Sequence, residues 1–339
     1  MKRLPLPDLL KGFAVFLIVP VHILELFIVY PGRESWFGKT LLFLGGPVAV
    51  PVFMIIMGYF VAKNNKTFSQ NFLRGVKVFV VGFLLNIGLN FHLLLKIKFA
   101  GWPYHPLEYI FGVDILYLAG LSIIVLGAIK TLQGNGAILS VVLAFAILAL
   151  TSLMNEKLML TERNYILPFI AGTYSWSYFP LFPWLAYPLF GFAFYFWEEK
   201  ISSFFKTNKI VAGILIALIS GAVLYFGKYG FSVTINLPEY YHHEFWFAIW
   251  TLGIVVIWTV LWRYIILRFE ATSVGNFVMW MGKNITLFYI IQWLIIGNIA
   301  TAIYQTQSIK NYLYWFFGIF MITVFLTWLI GKTNIKLAR

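Results

Sequence analysis

The sequence contains no cysteine and few charged residues, and each shortage excludes a class of protein. Without cysteine, the chain has no disulfide framework, no thiolate nucleophile and no cysteine-ligated zinc site. Only 11% of its 339 residues are charged, whereas 61% are hydrophobic and 20% are aromatic. A soluble domain of this length cannot bury so much apolar surface. We therefore predict an all-α, polytopic membrane protein.

Apolar runs long enough to cross a bilayer recur along the whole chain. We predict about ten transmembrane helices around a central cavity, in a single domain over residues 1–339. We interpret the first span as uncleaved, because it is long and ends without a small-residue cleavage site. The predicted spans are 12–30, 41–62, 72–91, 108–129, 136–153, 180–197, 209–226, 245–267, 284–304 and 312–331.

Basic residues are distributed unevenly between the predicted loops. With ten spans, 17 lysines and arginines fall on the side of the termini and 8 on the other side. Because cytoplasmic loops carry the excess of positive charge, we expect both termini in the cytoplasm, in a bacterial-type cytoplasmic membrane. The net charge of +13 is then explained by orientation in the lipid bilayer. No nucleic-acid partner is expected, because the cations lie in separate short loops.

The first span places a histidine inside an apolar helix. Lys11 and His22 are eleven residues apart, so they project from nearly the same helix face, about 16 Å apart along the axis. An ionisable residue within the membrane indicates a functional site, although a histidine bonded between helices also serves packing alone. Glu25, three residues after His22, is placed to fix the imidazole tautomer and raise its basicity. We therefore predict that His22 and Glu25 are catalytic.

A second basic stretch opens the third span. Arg74 and Lys77 share a helix face, and with Lys11 they are suited to hold the phosphates of a cytosolic cofactor. For each cation the alternative is snorkelling toward lipid headgroups. Trp184 ends an aromatic, proline-rich segment and is a further candidate for cofactor binding, or else an anchor at the membrane interface.

The predicted non-cytoplasmic loops are long and rich in aromatic and polar residues. Aromatic rings stack on sugars while acids and histidines bond hydroxyl groups, so these loops favour a polar or sugar-like ligand, unless they form only an interfacial belt. His242 and His243 are adjacent in one loop, where we expect solvated side chains and no metal. The candidates for substrate binding are Trp36, Tyr104, His105, Glu108 and Asp114.

Several short stretches together resemble one family. A basic residue, ten residues and then histidine, here Lys11 to His22 within DLLKGFAVFLIVPVH, is similar to the signature of integral-membrane acyltransferases. Arg74-Gly-Val-Lys77 resembles the Arg-x-x-Arg feature of the family-three members, with lysine at the second position. GGPVAVPVFMIIMGYF and MGKNITLFYIIQW are similar to later stretches of that family, and FPLFPWLAYPLFG to its heparan-α-glucosaminide N-acetyltransferase relatives.

The resemblance implies transfer of an acyl group, often acetyl, from acetyl-CoA or another acyl-CoA to a glycan or other hydroxyl or amine acceptor on the non-cytoplasmic side. It implies that His22 is the catalytic histidine and that Lys11, Arg74 and Lys77 meet the CoA phosphates. Two mechanisms remain open, because the histidine can act as general base or can itself be acylated first.

Two other functions compete with acyl transfer. A proton-coupled transporter or flippase of a lipid-linked or amphipathic solute would use His22, Glu25 and Asp114 as a proton relay. A structural or sensory membrane protein would use the same polar groups only to pack helices. We favour the enzyme because one helix aligns a cation, a histidine and an acid, and a second basic pair is predicted on the same side of the membrane.

Overall fold

The computed structural model describes residues 5–132, 135–158 and 163–332. Within these ranges the regular structure is helical, apart from two isolated β-bridges, Ile28–Gln307 and Val113–Ser177. Short 3-10 turns lie at Leu167–Phe169 and Ile309–Asn311. In chain order, the α-helices are α1 (Pro5–Phe27), α2 (Tyr30–Arg33), α3 (Trp36–Gly45), α4 (Val50–Lys63), α5 (Phe68–Leu89), α6 (Phe91–Ala100), α7 (Pro106–Ile110), α8 (Ile115–Ile129), α9 (Gly136–Lys157), α10 (Leu181–Trp184), α11 (Ala186–Thr207), α12 (Lys209–Tyr225), α13 (Gly227–Ile235), α14 (Leu237–Tyr241), α15 (Phe245–Phe269), α16 (Ser273–Lys283), α17 (Ile285–Ile303) and α18 (Tyr312–Lys332).

Helices of membrane-spanning length are frequent in the part of the chain that the structure describes. Seven helical segments are long and apolar enough to cross a bilayer, and there are up to eight if a bent pair of helices forms one span. The prediction of an all-α, polytopic membrane protein is therefore confirmed.

Four of the ten predicted spans take a different form. The predicted span 41–62 is broken between Gly45 and Val50, so its two parts belong to α3 and α4. The predicted spans 180–197 and 209–226 correspond to Leu181–Thr207 and Lys209–Tyr225, a pair bent by 108°. The predicted span 108–129 is interrupted, and its remainder is the 15-residue helix α8. The interruption precedes Asp114, whose carboxylate accepts a hydrogen bond from the backbone N–H of Ile115 at 2.6 Å. An aspartate in this N-cap position favours a helix start, which explains why one apolar run became two elements.

So far as it is described, the chain forms two compact units. The first comprises Met1–Ala49, Phe83–Gly112 and Trp262–Arg339, and the second comprises Val50–Gly82 and Val113–Leu261. Two of the unit boundaries fall inside helices, in α5 and in α15. The single domain over residues 1–339 stays a prediction.

In the first unit, α1 packs against α3, α16, α17 and α18. Its contact with α16 is made by backbone atoms. A β-carbon at Gly12 would collide with the carbonyl oxygen of Val278. From the other helix, a β-carbon at Gly282 would collide with the carbonyl oxygen of Asp8. Glycine on both helices thus allows a close approach that fixes α1, the helix that carries His22.

In the second unit, α4 and α11 cross in the same manner. A β-carbon at Gly58 would collide with the carbonyl oxygen of Pro188, and one at Gly191 with that of Ile55. Helix α4 also packs against α8, and α11 packs against α9. Membrane helices associate through such small residues because lipid removes the hydrophobic drive that packs helices in water.

Candidate active site

His22 is held by a glutamine from α17. Its Nδ1 atom lies 3.2 Å from Oε1 and 3.1 Å from Nε2 of Gln292, whose side chain is buried. The amide serves either tautomer, because Oε1 accepts from a protonated Nδ1 and the NH2 group donates to a bare one. When Oε1 accepts, the lone pair of the imidazole Nε2 is left for a substrate. One hydrogen bond therefore decides which nitrogen of His22 reacts.

The next residue on α17 covers the same imidazole. The indole ring of Trp293 lies against His22, with 4.0 Å between ring centroids and 33° between ring planes. The rings of Tyr289 and Trp293 pack edge to face, with 6.4 Å between their centroids. Tyr289, Gln292 and Trp293 are spaced i, i+3 and i+4, so a single face of α17 presents all three. His22 itself is half-buried.

Trp293 brings an unused hydrogen-bond donor to this site. Its indole Nε1 is buried and has no hydrogen-bond partner among the described residues. An indole N–H donates only, and when it is buried it usually finds an acceptor. The site thus holds an oriented imidazole and a neighbouring donor without an acceptor.

Glu25 was predicted to orient His22, but the hydrogen bond described at Nδ1 comes from Gln292. Glu25 lies one turn further along α1 and is half-buried. Burial and then the charge of Glu25 raise the pKa of Tyr304, which follows α17. The catalytic role of Glu25 stays a prediction.

Lys11 lies in an ion pair at the start of α1. Its Nζ is 2.9 Å from Oδ1 of Asp8, and both side chains are largely buried. Asp8 also lines a cleft of about 200 Å³ with Pro5, Glu270, Asn276, Met279 and Lys283. A phosphate that binds Lys11 would therefore have to share this cation with Asp8.

The predicted acceptor residues fall in two places. In the first unit, Trp36 is 78% exposed at the start of α3, while Tyr104, His105 and Glu108 lie at and just before α7. Burial, then the charges of Tyr104 and Glu108, raise the pKa of Tyr109, so these side chains lie close together. Tyr104 also meets the rings of Trp102 and Tyr109, each at 6.1 Å between centroids. Substrate binding by these residues stays a prediction.

Asp114 belongs to the second unit, where it begins α8. It is 9% exposed and accepts the hydrogen bond from Ile115 described above. This capping contact accounts for a costly carboxylate in an apolar environment. Its part in substrate binding remains untested.

Arg74 and Lys77 lie on α5 in the second unit, Arg74 half-buried and Lys77 exposed. The loop that leads into α5 is fixed by Lys130. Its ammonium donates to the carbonyl oxygens of Val61 and Asn64, and to the Asn64 side chain at 3.2 Å. A lysine at the last carbonyls of α4 satisfies acceptors that the helix leaves open. Burial lowers the pKa of Lys130.

Trp184 is fully buried in the second unit. Its indole N–H donates to the carbonyl oxygen of Tyr241 at 2.7 Å, and its ring meets His243 edge-on at 4.8 Å. Both the ring and its N–H are thus engaged by the protein. Its assignment to cofactor binding stays a prediction.

His243 departs from the solvated state that the sequence predicts. It is 1% exposed. Its Nδ1–H donates to the carbonyl oxygen of Tyr240 at 2.8 Å, and its Nε2 accepts from the hydroxyl of Tyr187 at 2.9 Å. Burial lowers the pKa of His243 to about 3, and that of the half-buried His242 to about 4. The expectation of solvated histidines was wrong, because aromatic side chains enclose this loop.

The geometry describes a helical membrane protein with a histidine oriented inside its first span. A family model described as an acyltransferase domain matches residues 5–332. Because the match covers nearly the whole chain, the chain belongs to the acyltransferase 3 family and is a multi-pass membrane acyltransferase. No curated protein and no solved structure matches it. The resemblance to the family-three acyltransferases is thereby confirmed.

Sequence reasoning did not predict two described contacts of His22, those with Gln292 and Trp293. Gln292 lies in a late apolar run, and Trp293 is the last residue of the stretch MGKNITLFYIIQW. Their spacing from Tyr289 would have placed all three on one face of a helix. No sequence pattern, however, indicates that this face meets α1, because 270 residues separate His22 from Gln292.

Proposed function

We propose that this acyltransferase moves an acyl group from cytosolic acyl-CoA to a glycan or other hydroxyl or amine acceptor on the non-cytoplasmic side. Acetyl is the first acyl group that we propose. The observation that supports this best is the imidazole of His22, bonded by Gln292 and covered by Trp293 inside an apolar span. The imidazole is also only half-buried, so part of its surface is not packed against protein.

The proposed chemistry follows from the hydrogen bond at Nδ1. With the amide oxygen of Gln292 accepting from Nδ1–H, Nε2 of His22 takes the proton of the acceptor hydroxyl or amine as that atom attacks the thioester carbonyl. The carbon–sulfur bond then breaks, and the proton passes to the departing CoA thiolate. In the second mechanism Nε2 attacks the thioester itself and passes the acyl group on. Both mechanisms need the same tautomer.

The proposed donor is supported by charge. Arg74 and Lys77 share a face at the start of α5, and an arginine is able to grip a phosphate with two hydrogen bonds. Lys11 already pairs with Asp8, so we assign the larger share of phosphate binding to the pair on α5. With both termini in the cytoplasm, as the distribution of lysine and arginine favours, this pair faces cytosolic CoA.

The test is hydrolysis and exchange of acetyl-CoA by the purified protein in detergent or nanodiscs. We expect that His22→Ala abolishes turnover and keeps CoA binding, whereas Arg74→Ala/Lys77→Ala weakens binding. The matched control is Lys96→Ala/Lys98→Ala, which removes two cations from α6, on the predicted opposite side. Thermal unfolding of each variant shows whether it is folded.

Two results would overturn the proposal. If the folded wild type neither binds nor turns over acetyl-CoA or longer acyl-CoA thioesters, the acyl-CoA donor is wrong, and other activated acyl groups become the substrates to assay. If His22→Ala keeps full turnover, the histidine is not catalytic. Intact-mass detection of an acylated His22 in the absence of acceptor distinguishes the two acyl-transfer mechanisms.

A further inference from the structure

The indole N–H of Trp293 is a buried hydrogen-bond donor without a described acceptor, which is energetically unfavourable. Its nitrogen is buried within a membrane-spanning helix, and no acceptor is described for it. Leaving a buried donor unsatisfied is energetically unfavourable, and no water is available in a bilayer core to reduce that cost. A phenylalanine would pack a similar aromatic surface against His22 without this cost. The donor is therefore explained best by an acceptor that arrives with a ligand.

The position of this donor limits what the ligand group can be. Trp293 stacks on His22 at 4.0 Å between ring centroids, and its neighbour Gln292 bonds the same imidazole. Any atom that reacts at His22 consequently lies within a few ångströms of the indole. In acyl transfer, the group beside the reacting atom is the carbonyl oxygen of the thioester. That oxygen accepts hydrogen bonds and becomes negatively charged as the carbonyl carbon turns tetrahedral.

We propose that the indole N–H of Trp293 donates a hydrogen bond to the thioester carbonyl oxygen and stabilises the oxyanion formed during acyl transfer. This inference rests on the proposed function. As the acceptor oxygen or nitrogen bonds to the carbonyl carbon, the electron pair of the C=O bond moves to oxygen, where the indole N–H meets it. When the C=O bond re-forms, the carbon–sulfur bond breaks and the thiolate takes the proton held by His22. Trp293 neither gains nor loses a proton in this sequence.

The first test compares two tryptophans, each of which has a buried indole N–H without a described acceptor. Trp293→Phe removes the N–H and keeps an aromatic ring on His22. Trp176→Phe is the matched control, because the indole Nε1 of Trp176 is also buried without a described partner, but in the second unit. Loss of one oxyanion donor typically lowers kcat about 10²–10³-fold. We expect this loss for Trp293→Phe, with the KM for acetyl-CoA and the unfolding midpoint little changed, and wild-type kcat for Trp176→Phe.

The second test does not depend on turnover. S-acetonyl-CoA labelled with ¹³C at its ketone places a carbonyl near the thioester position and has no leaving group there. We expect the infrared stretch of this carbonyl to shift to lower frequency on binding to wild type, and to lose most of that shift on Trp293→Phe. If the analogue binds both proteins with equal carbonyl frequencies, or if Trp293→Phe keeps wild-type kcat, the inference is overturned while the proposed function stands. If wild type neither binds nor turns over acyl-CoA, both are overturned.

Discussion

The stability of the protein should fall in acid because His243 is buried as a neutral imidazole. Burial lowers its pKa from the ordinary value of 6.5 to about 3, so protons bind the unfolded chain more readily than the folded one. The stabilisation is complete above pH 6.5 and is lost progressively as the pH falls toward 3. Between pH 7.5 and pH 5, the unfolded chain gains about 2 kcal/mol from protonating this one residue, at 1.36 kcal/mol per pKa unit.

His243→Phe isolates this contribution. The free energy of unfolding is measured by denaturation in mixed micelles at pH 7.5 and pH 5, for wild type, for His243→Phe and for the control His105→Phe. Wild type should lose about 2 kcal/mol more than His243→Phe between the two pH values, and the control should behave as wild type. His242 responds in the same direction, but it is present in all three proteins and cancels in the comparison. Equal losses in wild type and His243→Phe would refute the reasoning.

Three further predictions concern single contacts. Gln292→Leu keeps the side-chain volume but removes the partner of His22, so kcat in the thioester assay should fall about 10–100-fold, whereas Gln292→Asn should recover part of it. Gly191→Leu forces a side chain into the carbonyl of Ile55 and should lower the free energy of unfolding by about 1–3 kcal/mol or more. The control is Gly213→Leu, which should be neutral or slightly stabilising because a β-carbon at Gly213 has no neighbouring atom within 4 Å. Asp114→Ala removes the cap of α8 and should cost about 1 kcal/mol in the same unfolding measurement, with Asp114→Asn nearly neutral.

Composition was sufficient to predict the class of fold, and hydropathy located most helices. Each predicted span has a helical counterpart, since apolar runs of this length are stable in lipid only when their backbone bonds internally. Hydropathy does not register where a helix bends or is capped. It therefore missed the bend after Thr207 and the start of α8 at Asp114.

At the candidate site, the sequence indicated His22 but not the residues that contact it. His22 stood out because an ionisable residue in an apolar run is rare, and its catalytic role stays a prediction. Its partners depend on which helix packs against α1. That choice is made by backbone contacts such as Gly12 on Val278, which carry no periodic signal. Likewise, the burial of His243 results from aromatic residues on α10, α11 and α14, far from it in the sequence or irregularly spaced.

The glycine contact between α1 and α16 has a mechanical consequence. At Gly12 and Gly282 each helix packs directly against the main chain of the other. No side chain lies between them at these positions that could change its rotamer to let one helix slide past its neighbour. The two helices should therefore shift only as one rigid pair. The contact of α17 with His22 is made instead by the flexible amide of Gln292 and the ring of Trp293. We expect α17 rather than α1 to yield when a substrate enters or leaves.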